Sequence, residues 1–290
     1  AYRTYTLDKF ARGVAFLSLG LGKKVILANP CGKIADIAFG ANSLHTADAW
    51  LGALAYAFQI YFDFSGYSDM AIGLGLMFGF VFAKNFDSPY RAESITDFWR
   101  RWHISLSTWL RDFIYIPLGG SQCSTARASF NLMVTFTLSG LWHGASWNYV
   151  LWGVYWGVLI LMERYLDWLG LTKKVPWLVK VSFTFGLTCF GWLLFRERNL
   201  AQIIHDLAQS PFAATAEQWR IGIYFVVLVL LYALPLVIHM LATGLPNWQI
   251  GTRLSKRGRF VMEAAVAVVL LLGIVTIRSV ATSDFIYFQF

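Results

Sequence analysis

Two long stretches without a charged side chain constrain the fold of this sequence more than any other feature. Residues 128–162 and 221–252 contain no Asp, Glu, Lys or Arg over 35 and 32 positions. Since about 20 apolar residues cross the hydrocarbon core of a bilayer, each stretch is long enough to enter a membrane. Charged residues make up only 14% of the chain, against roughly 25% in typical soluble domains. The sequence therefore predicts an integral membrane protein.

The apolar segments predict an all-α fold in which residues 1–290 form a single transmembrane domain. Eight membrane helices are predicted, at about 10–28, 48–64, 67–83, 130–145, 147–163, 180–195, 219–241 and 259–277. A short amphipathic helix over Asn199–Ser210 is expected to lie at the membrane interface. The first residue is Ala1 rather than Met, and we expect the chain to be the C-terminal portion of a longer protein.

The basic residues are distributed unevenly among the loops that join the predicted helices. The net charge of +8 could indicate nucleic-acid binding. When alternate loops are assigned to the cytoplasm, however, they hold 17 of the 21 Lys and Arg residues that follow Arg12, as the positive-inside rule requires. The same assignment puts Phe98–Tyr115 inside and the turn near His143 toward the outer face. The charge pattern therefore favours membrane topology and argues against nucleic acid as a partner.

An ionisable residue, His143, lies in the middle of the first uncharged stretch, in the run Leu141–Gly144. Such a residue is costly at membrane depth and usually marks a functional site. Imidazole can take a proton from a hydroxyl near neutral pH, so a catalytic role is one interpretation. A neutral imidazole that joins two helices by hydrogen bonds is the structural alternative.

The chain around His143 can fold in two ways. Two helices that meet at residues 143–146 would each have about 15 residues and rise roughly 22 Å. Because the hydrocarbon core is about 30 Å thick, their turn would be recessed below the outer surface. The alternative is one long tilted helix with His143 near the middle of the membrane. Both folds bury His143 in the membrane.

A second histidine belongs to a segment rich in aromatic and basic residues, Phe98–Tyr115. On a helix, four polar side chains of this segment would share one face: Arg100, His103, Ser107 and Arg111. Arginine suits phosphate groups and Trp102 could stack on a nucleobase, so the segment is a candidate site for an anionic, cytosolic acyl donor. Anchoring of an amphipathic helix to lipid phosphate is the alternative that the composition leaves open.

Further polar residues are candidates for a supporting role. Asp63 and Asp69 flank a predicted helix–helix junction at residues 65–66, where they could cap helix ends or orient a histidine. Asp112 and Asn148 are also predicted to be polar residues that support the site. No tight metal-binding motif is present, so we predict no metal site. Three other histidines carry no predicted function: His45, His205 and His239.

Several runs of this sequence resemble the membrane-bound O-acyltransferase family, and in particular its bacterial alginate O-acetyltransferase branch. The resemblance rests on four segments: 61–73, 98–120, 138–153 and 285–290. It implies a multi-helix bundle around a central tunnel, with amphipathic and re-entrant helices. His143 matches the position of the family's catalytic histidine, and His103 matches that of its second signature histidine.

The resemblance also implies a reaction. A protein of this kind is expected to move an acetyl group from a cytosolic donor, acetyl-CoA, across the inner membrane for O-acetylation of an exopolysaccharide such as alginate. No bound cofactor is expected. The implied partners are periplasmic polysaccharide O-acetyltransferase components, with membrane lipid around a multi-pass protein. His143 would act as a general base or form a short-lived acyl-histidine.

Other functions remain open. Within the family, D-alanyl transfer to teichoic acid, or O-acetylation of peptidoglycan or cellulose, would use similar membrane components. In a different class, the chain would be a non-catalytic transporter or scaffold. A transporter is expected to show internal repeat symmetry, and the sequence contains no such repeat.

Overall fold

The part of the chain that the structure describes is helical. The computed structural model describes residues 4–39 and 46–197, together with positions 201, 219–220, 223–224, 227, 261 and 268. These residues form helices and turns without a strand, so the predicted all-α class is confirmed for them. Apart from isolated positions, the predicted helices at 219–241, 259–277 and 199–210 lie outside the described residues. So do His45, His205 and His239.

The first helical stretch is longer than predicted. Three segments follow one another: α1 (Leu7–Gly22), a π-helical segment (Lys23–Ala28) and α2 (Asn29–Phe39). Thr6 caps the start, since its side chain accepts a hydrogen bond from the backbone N–H of Lys9. We expected the helix to end near residue 28. Pro30 has no N–H to donate, and the widened π-helical turns just before it allow the chain to remain helical.

The next helix, α3 (Thr46–Met77), is continuous over 32 residues. The sequence predicted two helices, 48–64 and 67–83, and that prediction is wrong. Gly66 serves close packing rather than a turn, because a Cβ atom there would lie 2.7 Å from the carbonyl oxygen of Gly20 in α1. Further along, a Cβ atom at Gly73 would lie 2.6 Å from the carbonyl oxygen of Gly13. The helices α1 and α3 therefore run antiparallel with their backbones almost in contact.

The chain divides into two compact units. Ala1–Asn42 and Leu54–Lys84 belong to the first unit, which includes α1, α2 and most of α3. Ser43–Ala53 and Asn85–Ala214 belong to the second. Both histidines that the structure describes lie in the second unit, so the candidate site is built from that unit.

The second unit has short helices followed by long ones. A 3₁₀ turn at Pro89–Arg91 comes before the short helices. These are α4 (Ile95–Arg101) and α5 (Ile104–Leu110), and a second π-helical segment (Arg111–Tyr115) follows them. The long helices correspond to three predicted ones: α6 (Thr125–His143), α7 (Trp147–Trp168) and α8 (Trp177–Arg196). Within the described part of the chain, α8 is the one helix that qualifies as a candidate membrane span by length and composition alone.

The helices α6 and α7 form an antiparallel hairpin, so the alternative of one long helix through His143 is wrong. A Cβ atom at Gly140 would lie 2.1 Å from the carbonyl oxygen of Tyr149, and one at Gly153 would lie 2.3 Å from that of Phe136. The two helices contain 19 and 22 residues. At 1.5 Å per residue they rise roughly 28 and 33 Å instead of 22 Å. These lengths remove the reason for predicting a recessed turn.

An aromatic core joins the helices of the second unit. Its almost fully buried members come from α4, α7 and α8: Phe98, Trp152, Trp156 and Trp192. Phe98 stacks on Trp156 with the ring centroids 5.3 Å apart, and Trp102 tilts against Trp192 at 4.7 Å. Large aromatic rings bury much apolar surface and favour defined geometries. The core therefore fixes the short helix α4 against two long helices.

Candidate active site

His143 is the last residue of α6 and is half-buried among aromatic rings. Four ring centroids lie within 4.9 to 6.4 Å of the imidazole: those of Trp142, Tyr149, Trp152 and Phe195. Trp152 and Phe195 both meet it edge-on at 5.1 Å. These rings come from α6, α7 and α8. The orientation of the imidazole therefore depends on the packing of three helices rather than on one loop.

The turn after His143 is closed by glycine. A Cβ atom at Gly144 would lie 2.6 Å from the ring of Tyr149, so the ring packs directly against the turn. Ser146 is extended and precedes Trp147, where α7 begins. The predicted meeting of two helices at residues 143–146 is confirmed.

His103 lies at a break between two short helices. Its backbone is left-handed, with φ 44° and ψ 55°, a conformation that is uncommon for residues other than glycine and recurs at functional sites. Because α4 ends at Arg101 and α5 begins at Ile104, the predicted continuous helix over Phe98–Tyr115 is wrong. The single helical face predicted for its four polar residues is interrupted at His103.

The break is held by Asn85, a residue that the sequence did not single out. The backbone N–H of Ile104 donates to the Asn85 carbonyl at 2.9 Å, and the N–H of Ser105 donates to Asn85 Oδ1 at 3.1 Å. The Nδ1 atom of His103 lies 3.3 Å from the same Oδ1. Because this oxygen accepts from a backbone N–H, it can only be an acceptor, and His103 donates to it from Nδ1. In the neutral imidazole the lone pair is then on Nε2.

The two histidines belong to one site. The ring of Trp142 lies 6.5 Å from that of His103 and 4.9 Å from that of His143. The imidazole centroids are therefore at most about 11 Å apart, against roughly 30 Å for the hydrocarbon core. The charge pattern predicted that the two residues face opposite sides of the membrane. In the structure, the ring of one tryptophan lies within 6.5 Å of both imidazoles.

A cavity of about 450 Å³ lies in the second unit, with walls from α4, α5, the second π-helical segment, α6 and α7. Three arginine side chains line it: Arg100, Arg111 and Arg164. The hydroxyl residues Ser107 and Ser139 add hydrogen-bonding groups. Three of the four residues predicted to bind an anionic donor therefore surround one cavity, although the helix predicted to align them is broken.

The cavity extends along α6 toward His143. Its lining residues on that helix follow a helical spacing: Leu132, Thr135, Phe136 and Ser139. His143 is four residues beyond Ser139, on the same face and about one turn of 5.4 Å further along. On the α4 side, the lining residue Trp99 has its ring 5.7 Å from that of Trp152, which contacts His143. One helical turn and one pair of indole rings therefore separate the cavity from His143.

The arginines of the cavity are well suited to an anionic ligand. In the described ranges, no carboxylate lies within ion-pair distance of Arg100 or Arg164. Arg111 pairs with Asp112 at 2.7 Å, and the hydrogen bond from this guanidinium lowers the pKa of Asp112 below its ordinary value. Asp112 therefore contacts an arginine rather than a histidine. Guanidinium groups that converge on a concave site favour phosphate or carboxylate ligands.

Two other candidate residues are buried in the core. Trp102 is only 4% exposed, packs on Phe98 at 5.7 Å and does not line the cavity, which leaves no open face for a nucleobase. Asn148 is 1% exposed, and its Nδ2 donates to the carbonyl of Phe195 at 3.5 Å. This bond joins α7 to α8. Since Phe195 contacts His143, Asn148 supports the site through that ring.

The two aspartates of α3 lie in the first unit, each paired with a lysine. Lys23 donates to Asp69 at 2.6 Å, and Lys24 pairs with Asp63. Both lysines belong to the first π-helical segment. The predicted capping role is wrong, because α3 has no end at residues 65–66. Neither pair, nor any group of three or more His, Cys, Asp or Glu in the described part of the chain, is placed to hold a metal ion.

Four residues of the site were missed by the sequence analysis: Asn85, Trp99, Ser139 and Arg164. Arg164 directly follows Glu163 at the end of an uncharged stretch, where its charge fits the positive-inside pattern of the cytoplasmic loops. Ser139 could have been found from its position, since it lies one helical turn before His143. For Asn85 and Trp99 no local signal separates them from other loop and core residues.

Comparison with known proteins finds relatives for most of the described chain. The membrane-bound O-acyltransferase family model matches residues 3–197, more than half of the sequence. A probable alginate O-acetylase, AlgI, from Azotobacter vinelandii is 51% identical over 213 residues, which cover 73% of this chain and 42% of the relative. The probable alginate O-acetylase AlgI of Pseudomonas aeruginosa is 52% identical over 212 residues, with 73% and 40% covered.

A further relative is named for a different polymer. The peptidoglycan O-acetyltransferase of Helicobacter pylori is 42% identical over 202 residues, which cover 68% of this chain and 38% of the relative. The chain therefore spans about two fifths of the length of these relatives. The residues of the cavity and both described histidines lie within the range that the family model matches.

Proposed function

This chain belongs to the membrane-bound O-acyltransferase family, and on that premise we propose that it is part of an enzyme that transfers acetyl groups to the hydroxyls of a polysaccharide. The names of the three relatives support this, since they are alginate O-acetylases and a peptidoglycan O-acetyltransferase. The family is membrane-bound. We propose the cell inner membrane as the location, crossed several times by the chain.

The observation that carries the proposal is the arginine-lined cavity that ends one helical turn from His143. Its volume of about 450 Å³ falls within the range of roughly 300–1,000 Å³ that small-molecule sites usually have. The guanidinium groups of Arg100, Arg111 and Arg164 suit the phosphates of a nucleotide thioester. We therefore propose acetyl-CoA as the donor, with its phosphates at the arginines and its thioester directed along α6 toward His143.

In the proposed reaction, His143 is the general base. The imidazole takes the proton of the acceptor hydroxyl, the oxygen bonds to the carbonyl carbon of the acetyl thioester, and the carbon–sulfur bond breaks. The leaving thiolate then takes the proton from the imidazolium, so that the products are an acetyl ester and free CoA thiol. A positioned base contributes about 10²–10⁴-fold to the rate. A short-lived acyl-histidine is the competing mechanism.

His103 has a different proposed role. Its Nδ1 donates to Asn85, so in the neutral ring the lone pair on Nε2 can accept a proton or a hydrogen bond. The ring of Trp142 lies within 6.5 Å of both imidazoles, so His103 is close enough to act on the same substrate as His143. We propose that His103 positions the donor and assists proton transfer.

The acceptor and the partner are proposed from the relatives. Identity is higher to the two alginate O-acetylases, at 51% and 52%, than to the peptidoglycan enzyme, at 42%. This difference favours an exopolysaccharide such as alginate as the final acceptor. A periplasmic O-acetyltransferase component is proposed to complete the transfer. The acetyl content of each surface polymer, measured with and without the gene, distinguishes the acceptors.

Substitution of His143 in the full-length protein tests the proposal. His143→Ala and His143→Gln should lower polymer acetylation by about 100-fold or more, while the protein stays in the membrane at its normal level. His239→Gln is the matched control, since it removes an imidazole elsewhere in the chain. If acetylation persists at the wild-type level in both His143 variants, the catalytic assignment is wrong and a transporter or scaffold becomes the better explanation.

A further inference from the structure

The start of α4 is held by a carboxylate from another helix. Glu163, on α7, accepts hydrogen bonds at Oε2 from the backbone N–H groups of Ile95 at 2.6 Å and Thr96 at 3.1 Å. The N–H groups of a first helical turn have no partner within the helix itself. The next one along, that of Asp97, donates to the Ser94 hydroxyl at 3.1 Å. Glu163 therefore completes the capping of α4 from α7.

This connection lies between two walls of the arginine-lined cavity. On α4, the cavity is lined by Thr96, which donates to Glu163, and by Arg100, one turn further on. On α7, it is lined by Arg164, the residue directly after Glu163. The carboxylate thus links the backbone that carries one guanidinium to the helix that carries another. The relative position of these two cations depends on the link.

The helix α4 needs such a link. It has only seven residues, and an isolated helix of that length is unstable in water. Its middle is anchored in the core, where Phe98 stacks on Trp156. Without Glu163, the first turn of α4 would lose its hydrogen-bonded contact with α7, while the aromatic core still holds the helix at Phe98. A change at Glu163 should therefore displace Arg100 without unfolding the unit.

We propose that Glu163 is a positioning residue for the anionic part of the acyl donor, because it sets the spacing of Arg100 and Arg164 across the cavity. The inference rests on the proposed function of the cavity. It adds a residue that would not touch the donor, and it attributes donor affinity to a hydrogen-bonded contact between α4 and α7.

Steady-state kinetics of the full-length protein test the role of Glu163. Glu163→Ala should raise KM for acetyl-CoA about ten-fold, because the displaced Arg100 would lose its hydrogen bond to the charged donor. The substitution should leave kcat within about two-fold of wild type. Glu163→Gln keeps an acceptor oxygen and should restore most of the affinity. Asp167→Ala, one turn further along α7, is the matched control and should leave KM unchanged, since Asp167 accepts from Thr172 and does not line the cavity.

A double-mutant cycle separates positioning from a general loss of structure. If Glu163 acts through Arg100, KM of the double variant Glu163→Ala/Arg100→Ala should equal that of Arg100→Ala alone. If the fold-changes in KM of the two single variants multiply in the double variant, the two residues act independently and the inference is wrong. A lower kcat with unchanged KM in Glu163→Ala would also overturn it. If Arg100→Ala itself leaves KM unchanged, the cavity is not the donor site and the proposed function fails first.

Discussion

Replacement of Arg164 by alanine tests whether the cavity binds the phosphates of the donor. Arg164 is exposed and has no carboxylate partner among the described residues, so its removal leaves no buried charge without a counter-ion. A hydrogen bond to a charged group contributes about 1.5–3 kcal/mol, and solvent in an open cavity favours the lower end of that range. Since about 1.4 kcal/mol corresponds to a factor of ten, KM for acetyl-CoA should rise about ten-fold.

The assay compares two donors that carry the same thioester. Acetyl-CoA has phosphate groups, whereas acetyl-pantetheine has none. Arg164→Ala should raise KM for acetyl-CoA and leave KM for acetyl-pantetheine within about two-fold, because only the first donor has a group for the guanidinium to bind. Arg164→Lys keeps the charge but loses the planar fork of the guanidinium, so its KM should lie between those of the alanine variant and the wild type.

Arg127 provides the control for this experiment. It is exposed near the start of α6, lies over the ring of Phe130 at 5.5 Å and does not line the cavity. Arg127→Ala should leave both KM values unchanged. An equal loss for both donors in Arg164→Ala, or no loss for either, would refute the reasoning and would move the phosphate site away from this cavity.

Two further substitutions test the break at His103 and the hairpin that carries His143. Asn85→Ala removes the acceptor of His103 and should lower kcat by roughly ten-fold, whereas Asn85→Asp keeps an acceptor and should retain more activity; equal losses would contradict the role of this contact. Gly140→Ala forces a Cβ atom toward the Tyr149 carbonyl and should destabilise the protein by about 1–3 kcal/mol, seen as a lower Tm in detergent. Gly186→Ala, where a Cβ atom meets nothing within 4 Å, should not lower Tm.

The hairpin around His143 could be predicted because its signals are local in sequence. An uncharged stretch of 35 residues is too long for one ordinary helix, and the His-Gly pair followed by Ser146 interrupts it where α6 ends. The lengths of the two helices were less accessible. Both extend beyond the uncharged stretch to charged residues, since Arg127 and Glu163 lie within them. The absence of charge therefore marked the position of the hairpin but not the ends of its helices.

The sequence predicted a helix break at Gly66, where the helix is continuous, and a continuous helix through His103, where it breaks. In both cases the role of the residue depends on its tertiary partner. Gly66 resembled a turn residue, but it lies within α3 and faces Gly20 of α1. His103 fitted a helical spacing, but Asn85, distant in sequence, ends the helix just before it. Both outcomes depend on contacts between separate segments, and tertiary contacts of this kind override local periodicity.

The residues of the cavity also differ in whether local sequence or the tertiary fold brings them together. Arg100, Ser107 and Arg111 could be grouped in advance because they lie in one short segment. Arg164 reaches the same cavity only because the hairpin returns α7 along α6, and that return is a property of the fold. A charge that looks like part of a topological pattern in the sequence therefore lines a cavity in the structure.

The aromatic packing around His143 also has a consequence for the membrane that surrounds the protein. An open, hydrated passage from the cavity past His143 would conduct protons and dissipate the membrane potential. Trp99, Trp152 and Phe195 occupy this region, with Trp152 5.7 Å from the ring of Trp99 and both Trp152 and Phe195 5.1 Å from that of His143. In the proposed reaction the acyl arm would approach His143 past these rings, and their apolar surfaces would disfavour hydrated ions on the same route. The side chains that surround the proposed base would then also limit proton leakage across the bilayer.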